Sequence, residues 1–249
     1  MISPSLACTI ADSDDLAPLL QHVDYLETII KPAVEMRLVD DVAVRVLGSR
    51  FGGHPAVPSG FVWPEPASGE CRFLAQINFA DIAGDVSPLP SAGLLSLFYT
   101  VGEDGDCAWH ENNFVTATYW PAPDQFSESI HYGFTPPPEG VAVELKPAIN
   151  WPRHAGLRDD WPFDEYSDEM DLVAFGLAEH QADDYLLGYP SYCRIDFDPA
   201  PGKDWICLLT ISSHECLDWC WLDGDKLTVF IHKDKLQHLD FTNLYCVAG

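Results

Sequence analysis

Along residues 13–30 the apolar positions Leu16, Leu19, Leu20, Val23, Leu26, Ile29 and Ile30 recur at three- and four-residue steps, which predicts a helix. Ser13 or Asp14 caps it, and the carboxylates of Asp14 and Asp15 lie where the positive end of the helix dipole favours them. Pro18 falls near the first turn, where a missing N–H costs least, and Pro32 ends the helix. Residues 33–39 alternate as a strand, with Val34, Met36 and Leu38 on one face. Residues 47–66 hold Gly48, Gly52, Gly53, Pro55, Pro58, Gly60, Pro64 and Pro66, a density that neither a helix nor a central strand accommodates, so a long constrained loop is expected.

Residues 73–79 read as a strand with Phe73, Ala75, Ile77 and Phe79 on one side and Leu74, Gln76 and Asn78 on the other. Residues 93–100 are dense enough in Leu and Phe to be a strand buried on both faces, and residues 116–119 form another strand. Residues 165–180 predict a helix through Tyr166, Met170, Val173, Ala174 and Leu177. Near the end, residues 217–222 (LDWCWL) alternate, and Asp223-Gly224 supplies a tight hairpin turn before a strand at 227–232.

The two halves of this pattern match. Gly188-Tyr189-Pro190 parallels Gly53-His54-Pro55, residues 206–212 parallel 73–78, and LTVFIH at 227–232 parallels LSLFYT at 95–100. The markers keep their order and nearly constant offset, which predicts a duplicated unit whose copies pack about a pseudo-dyad. The expected fold class is α+β, mainly β: an internally duplicated sheet module with a short N-terminal helix and long Pro/Gly-rich loops. One compact domain over residues 1–249 is expected, with a helical segment at 1–32, a first half-repeat at 33–147 and a second at 148–249.

Particular motifs carry a family likeness. Gly52-Gly53-His54-Pro55-Ala56-Val57-Pro58, Trp63-Pro64, Phe73-Leu74-Ala75-Gln76-Ile77-Asn78, Leu89-Pro90, Gly93 and Leu97-Phe98-Tyr99 resemble the YwqG-like family of bacterial proteins. Leu186-Leu187-Gly188-Tyr189-Pro190, Trp219, Asp223-Gly224, Leu227, Phe230 and Asp240-Phe241-Thr242-Asn243 extend the resemblance from about residue 33 to the C-terminus. The resemblance implies a mainly β, α+β architecture with an internal duplication, in a family of unknown function without established catalytic residues.

Charge narrows the function classes. With 39 acidic against 13 basic residues the formal charge is −26, which repels phosphate backbones and anionic lipid headgroups, so neither nucleic acid nor a membrane surface is an expected partner. A hydrophobic fraction of 47% with 8 Trp, 9 Tyr and 13 Phe excludes a wholly disordered acidic chain. Lys and Arg are missing from residues 74–144 and again from 159–184, and each run carries ten Asp and Glu. No stretch offers the ~18–20 uninterrupted apolar residues of a membrane span. Residues 1–11 lack the basic start of a secretory leader, so a cytoplasmic location is expected, with the eight cysteines as reduced and mostly buried thiols.

Few residues suggest chemistry. His214, Cys216 and Cys220 have the donor types of a zinc site, with Cys207 or His232 as a fourth. On the predicted strand, however, positions four apart stand about 13 Å distant, so no metal is expected. Gly52 and Gly53 either cradle an anion through backbone N–H groups or allow tight backbone contact; the Gly-Lys-Ser/Thr ending of a phosphate loop is missing. Gln76 and Asn78 either bond loop backbone or, with Trp63 and Tyr99, line a cleft between the half-sheets. No GxSxG, HExxH or SxxK frames a nucleophile or metal, and no cofactor is expected. The expected function is therefore a non-enzymatic binding protein whose acidic runs at 81–144 and 159–184 meet a basic protein partner, a toxin that it neutralises being one such partner. The alternative is a small-molecule-binding protein or enzyme using the cleft between the half-sheets.

Overall fold

The computed structural model describes residues 6–40, 42–66, 69–101, 114–130, 137–193, 195 and 197–249. Helix α1 (Leu6–Ala11), a 3₁₀ segment (Asp14–His22) and α2 (Val23–Thr28) precede the strands. The strands are β1 (Lys31–Val39), β2 (Arg50–Phe51), β3 (Ala56–Val57), β4 (Glu70–Asn78), β5 (Leu94–Val101), β6 (Val115–Trp120), β7 (Ser127–Glu128), β8 (Val141–Asn150), β9 (Tyr185–Leu187), β10 (Trp205–Ser212), β11 (Lys226–His232) and β12 (Tyr245–Ala248). A helical stretch from α3 (Asp168–Asp171) to His180 lies between β8 and β9, and α4 (Lys233–Gln237) follows β11. The fold is mainly β.

Ten strands form one antiparallel sheet in the order β12-β11-β10-β9-β1-β8-β2-β4-β5-β6, while β3 and β7 pair separately. The order is symmetric about the central β1·β8 pair: each side runs outward through a short strand, then a long bulged strand, then two more. The bulges fall at Leu74 in β4 and Leu208 in β10. The sheet rolls until it nearly closes. Tyr99 on β5 meets Trp221 at 5.4 Å, Tyr119 on β6 meets Phe241 at 5.1 Å, and the Cys246 thiol on β12 lies beside the Val115 backbone on β6.

Two prolines sit in the central pair, where proline is normally excluded. The Met36 N–H points to Asp184 O at 2.9 Å, on the β9 side, and the Val143 N–H points to Ser49 O at 3.0 Å, on the β2 side. By the two-residue alternation, Pro32 and Pro147 put their missing donors on those same outer sides, so neither removes a hydrogen bond from the β1·β8 ladder.

Inside the rolled sheet Val34, Phe51, Leu97, Leu209, Ile211 and Val229 belong to one core. A second core joins the N-terminal helical segments to the helical stretch after β8 through Leu16, Leu19, Leu26, Trp151, Met170, Val173 and Leu177. Each such side chain removed from water contributes about 1.5–3 kcal/mol. Among the described residues no helix is long and apolar enough to cross a membrane.

Several expectations change. Residues 217–222 are not a strand: Glu215–Leu217 is a 3₁₀ turn and Asp218 is left-handed (φ 56). The strand paired with β11 is β10, and the Asp225 N–H closes a local turn onto Trp221 O at 2.8 Å. The alternation there reflects Trp219 and Trp221 entering the core without any ladder. The bulge at Leu74 turns Phe73 away from Ala75 and Ile77, onto an outer cluster with Cys71 and Phe98. Residues 13–30 are helical, yet mostly as a 3₁₀ segment containing Pro18. Strand β8 was not expected at all. Of the cysteines, Cys71, Cys207 and Cys246 are buried, whereas Cys193, Cys216 and Cys220 are exposed, and Cys107 lies outside the described residues.

Candidate functional site

The glycine pair expected to cradle an anion or allow tight backbone contact, and the four residues considered for a cleft, are each held in separate local contacts. Gly52 and Gly53 hold φ of +61° and +69°; a Cβ at Gly53 would stand 2.8 Å from the Gly140 backbone, and one at Gly52 would stand 2.8 Å from Leu217 Cδ2. The Gly52 N–H is already spent on Leu74 O at 2.9 Å. Gln76 is fully buried: its Nε2 donates to Val46 O (2.9 Å) and Gly48 O (2.8 Å), and its Oε1 accepts from Ala56 N (2.9 Å). Asn78 Nδ2 donates to Leu47 O at 2.9 Å, while its Oδ1 accepts from Ala80 N at 3.1 Å. These two amides pin the glycine- and proline-rich segment. Trp63 lies outside the sheet, donating to Cys71 O at 2.7 Å and packing edge-on to Phe98 at 5.1 Å. Tyr99 points to the inner core.

The suggested metal donors are also dispersed. His214 Nε2 meets Asp184 Oδ2 at 2.8 Å, and Asp184 Oδ1 accepts from Ser212 N at 2.6 Å. Cys216 and Cys220 are exposed on the turn after β10 rather than along a strand. Among the described residues no three His, Cys, Asp or Glu side chains are placed to hold a metal ion.

A coherent surface instead lies on the chain between β8 and β9. It starts from a fixed anchor. Arg158 donates to both carboxylate oxygens of Asp160, at 2.8 and 2.7 Å, and to the Tyr25 hydroxyl at 3.1 Å. The guanidinium holds the Asp160 carboxyl below the usual carboxylate range, whereas burial pushes the Tyr25 phenol up. Trp161 donates to Ala155 O at 2.9 Å and stacks on Phe163 at 5.4 Å.

Ser167 then caps α3, its Oγ accepting from Met170 N at 3.3 Å. The helix continues as a π turn over Leu172–Gly176 and a 3₁₀ turn over Leu177–His180. Met170, Val173 and Leu177 face the second core. Gly176 packs so closely that a Cβ there would stand 2.6 Å from Leu16 Cδ2.

The other side of this stretch faces water. Tyr166 is 89% exposed and Phe175 73% exposed, so Tyr166 is not the core position that its spacing suggested. Asp164, Glu165, Asp168, Asp171 and Glu179 are exposed around them, and none makes an ion pair among the described residues. Hydrogen bonding to the Glu165 carboxylate pushes the Tyr166 phenol up. Beside Tyr166 a shallow depression of about 350 Å³ runs back past Phe163 and Trp161 to Arg158. Two exposed aromatic rings thus share a packed helical support with carboxylates that make no ion pair among the described residues. The periodicity of the helix had no means of identifying Phe175, which lies off the apolar stripe.

A model of the family described as Domain of unknown function (DUF1963) matches residues 49–248 of the chain. No curated protein matches it.

Proposed function

The chain belongs to the DUF1963 family, whose description names no activity, and we propose that it is a non-enzymatic interaction protein. It binds a basic protein partner through the face carried by residues 159–180. The observation that carries this reading is the exposure of Tyr166 and Phe175 in the same segment as Asp164, Glu165, Asp168, Asp171 and Glu179, exposed carboxylates that make no ion pair among the described residues. The rings supply area that loses water on docking, and the carboxylates steer a cationic surface toward them. A basic toxin whose charged surface is masked in this way is neutralised without any reaction.

The finer likeness to YwqG-like proteins, the internal duplication and the cytoplasmic location belong to the same proposal. The duplication is supported by the symmetric strand order and by the paired bulges at Leu74 and Leu208. The location is supported by six cysteines with described side chains, all of them free thiols.

An array of Lys- and Arg-rich peptides probed with the whole chain tests the function. Selective capture is expected, and Tyr166→Ala with Phe175→Ala should weaken it about tenfold or more, since truncating a central aromatic anchor typically costs ~2 kcal/mol. Equal capture by the doubly substituted chain, or no capture of any basic sequence, contradicts the proposal.

A further inference from the structure

A second, separate site lies where β1 and β10 begin. A cavity of about 630 Å³ opens between these strand ends, α4 and the loop before β5, within the range of about 300–1,000 Å³ usual for small-molecule sites. Its wall is largely apolar, with Leu89, Leu187, Ile206, Leu236 and Leu239 contributing. Leu187 stands there in the left-handed conformation (φ 62) that glycine adopts at the corresponding Gly52 (φ 61). Backbone strain of this kind in a non-glycine residue concentrates at ligand-holding positions.

Two cations also line the cavity. Lys233 Nζ has a carboxylate partner, Asp204 Oδ1 at 3.3 Å. Lys31 has none among the described residues: its Nζ lies 3.7 Å from the centre of the Tyr189 ring, a cation–π contact that leaves the ammonium's other donors free. In a chain with 39 acidic residues against 13 basic, Lys31 stands beside an apolar cavity with the Asp198 charge in range but no ion pair among the described residues. Lys31 is exposed at the edge of the cavity, and partial loss of water to the neighbouring protein lowers its pKa. An anion at that position would restore what burial removes.

We propose that this cavity binds an amphipathic monocarboxylate, with Lys31 holding the carboxylate and the leucine-lined wall enclosing the hydrocarbon chain. One free ammonium matches a singly charged head. A phosphate dianion ordinarily draws on several N–H donors or an arginine fork, and among the described residues no arginine lines this cavity.

The probe is dodecanoate below its micelle concentration, titrated into the whole protein beside dodecan-1-ol and dodecyl phosphate. Dodecanoate should saturate at one per chain and bind more tightly than either comparison compound. Lys31→Gln should weaken dodecanoate about tenfold while leaving dodecan-1-ol unchanged, and Lys31→Arg should retain most of the affinity. In the unsubstituted chain, dodecanoate should also protect Lys31 from an amine-acylating reagent, read by mass spectrometry; this holds the test independent of how the variants fold. No saturable binding, an alcohol or phosphate that binds as well as the carboxylate, or a Lys31 that stays equally reactive each overturns the proposal. The peptide-binding face shares no residue with this cavity, so either site can fail alone.

Discussion

Gln76 shows how one side chain can organise a loop that has little regular structure of its own. Its amide meets two carbonyls and one N–H belonging to residues 46, 48 and 56, all remote from it in the chain. Gln76→Leu keeps the volume but strands those groups, and each stranded buried group costs ~1–3 kcal/mol. A loss of about 3 kcal/mol or more is expected from urea unfolding, and a loss below about 1 kcal/mol would show that the amide is dispensable.

His154 illustrates the opposite polarity. Its ring stacks on Tyr192 at 3.8 Å, its Nε2 accepts from Tyr192 N at 3.2 Å, and burial with nearby Arg153 pushes its pKa down to about 4 from 6.5. The unfolded chain therefore takes up this proton first. Stability from the neutral ring is complete above pH 6.5 and is lost as the pH falls toward 4. Between pH 7 and 4.5 the native chain should lose about 2 kcal/mol more than His154→Gln, whose amide oxygen accepts the same N–H without titrating. Equal losses would contradict this. The sequence made the need of a buried amide at 76 readable, because a polar residue in an apolar strand must find partners. Nothing in it marked His154, whose surroundings are assembled from distant segments.

Among the elements, the long apolar strands β4, β5, β10 and β11 were readable because their burial on one or both faces leaves a direct mark on composition. Strand β8 was not, since Pro147 reads as a breaker until the position of β2 shows that its missing donor faces outward. The error at 217–222 has the reverse cause. Trp219 and Trp221 alternate because both plug the core, and alternation alone does not supply a neighbouring ladder. The bulge at Leu74 shifted the facing of Phe73, a one-residue event that the pattern of a single strand does not encode.

The turn at Gly52 and Gly53 gives a comparison between two glycines with positive φ. Gly53→Ala meets the Gly140 backbone at 2.8 Å, whereas a Cβ at Gly60 (φ +81) meets nothing within 4 Å. Gly60→Ala should thus cost about 1–2 kcal/mol from the left-handed conformation alone, and Gly53→Ala should cost more. Thermal melts of the two variants check the order, and equal shifts would mean that the close approach to Gly140 is unimportant.

Across the molecule, the net charge of −26 was plain from composition, as were the two runs without Lys or Arg. Where that charge matters was not. Arg158, just before the second run, and Met170, Val173 and Leu177 within it tie the segment to the N-terminal helices, and this support leaves Tyr166 and Phe175 exposed among carboxylates. The cleft expected around Trp63, Gln76, Asn78 and Tyr99 required these residues to share a face, but the rolled sheet separates Trp63 outside from Tyr99 inside. Lys31 leaves no mark in the sequence because a single lysine has no periodicity, and its place at the cavity, without an ion pair among the described residues, emerges only when β1, β9 and α4 come together.

The most direct test of the interaction surface is the association rate constant between the whole chain and a basic peptide selected from the array, followed from low to high salt. Steering by the acidic face predicts a rate that falls steeply over the range in which the Debye length shrinks from about 30 to 8 Å. The salt dependence should persist in Tyr166→Ala with Phe175→Ala while dissociation becomes faster, because the rings hold the complex and the carboxylates recruit it. An association rate indifferent to salt, or dissociation unchanged by loss of both rings, would contradict the account.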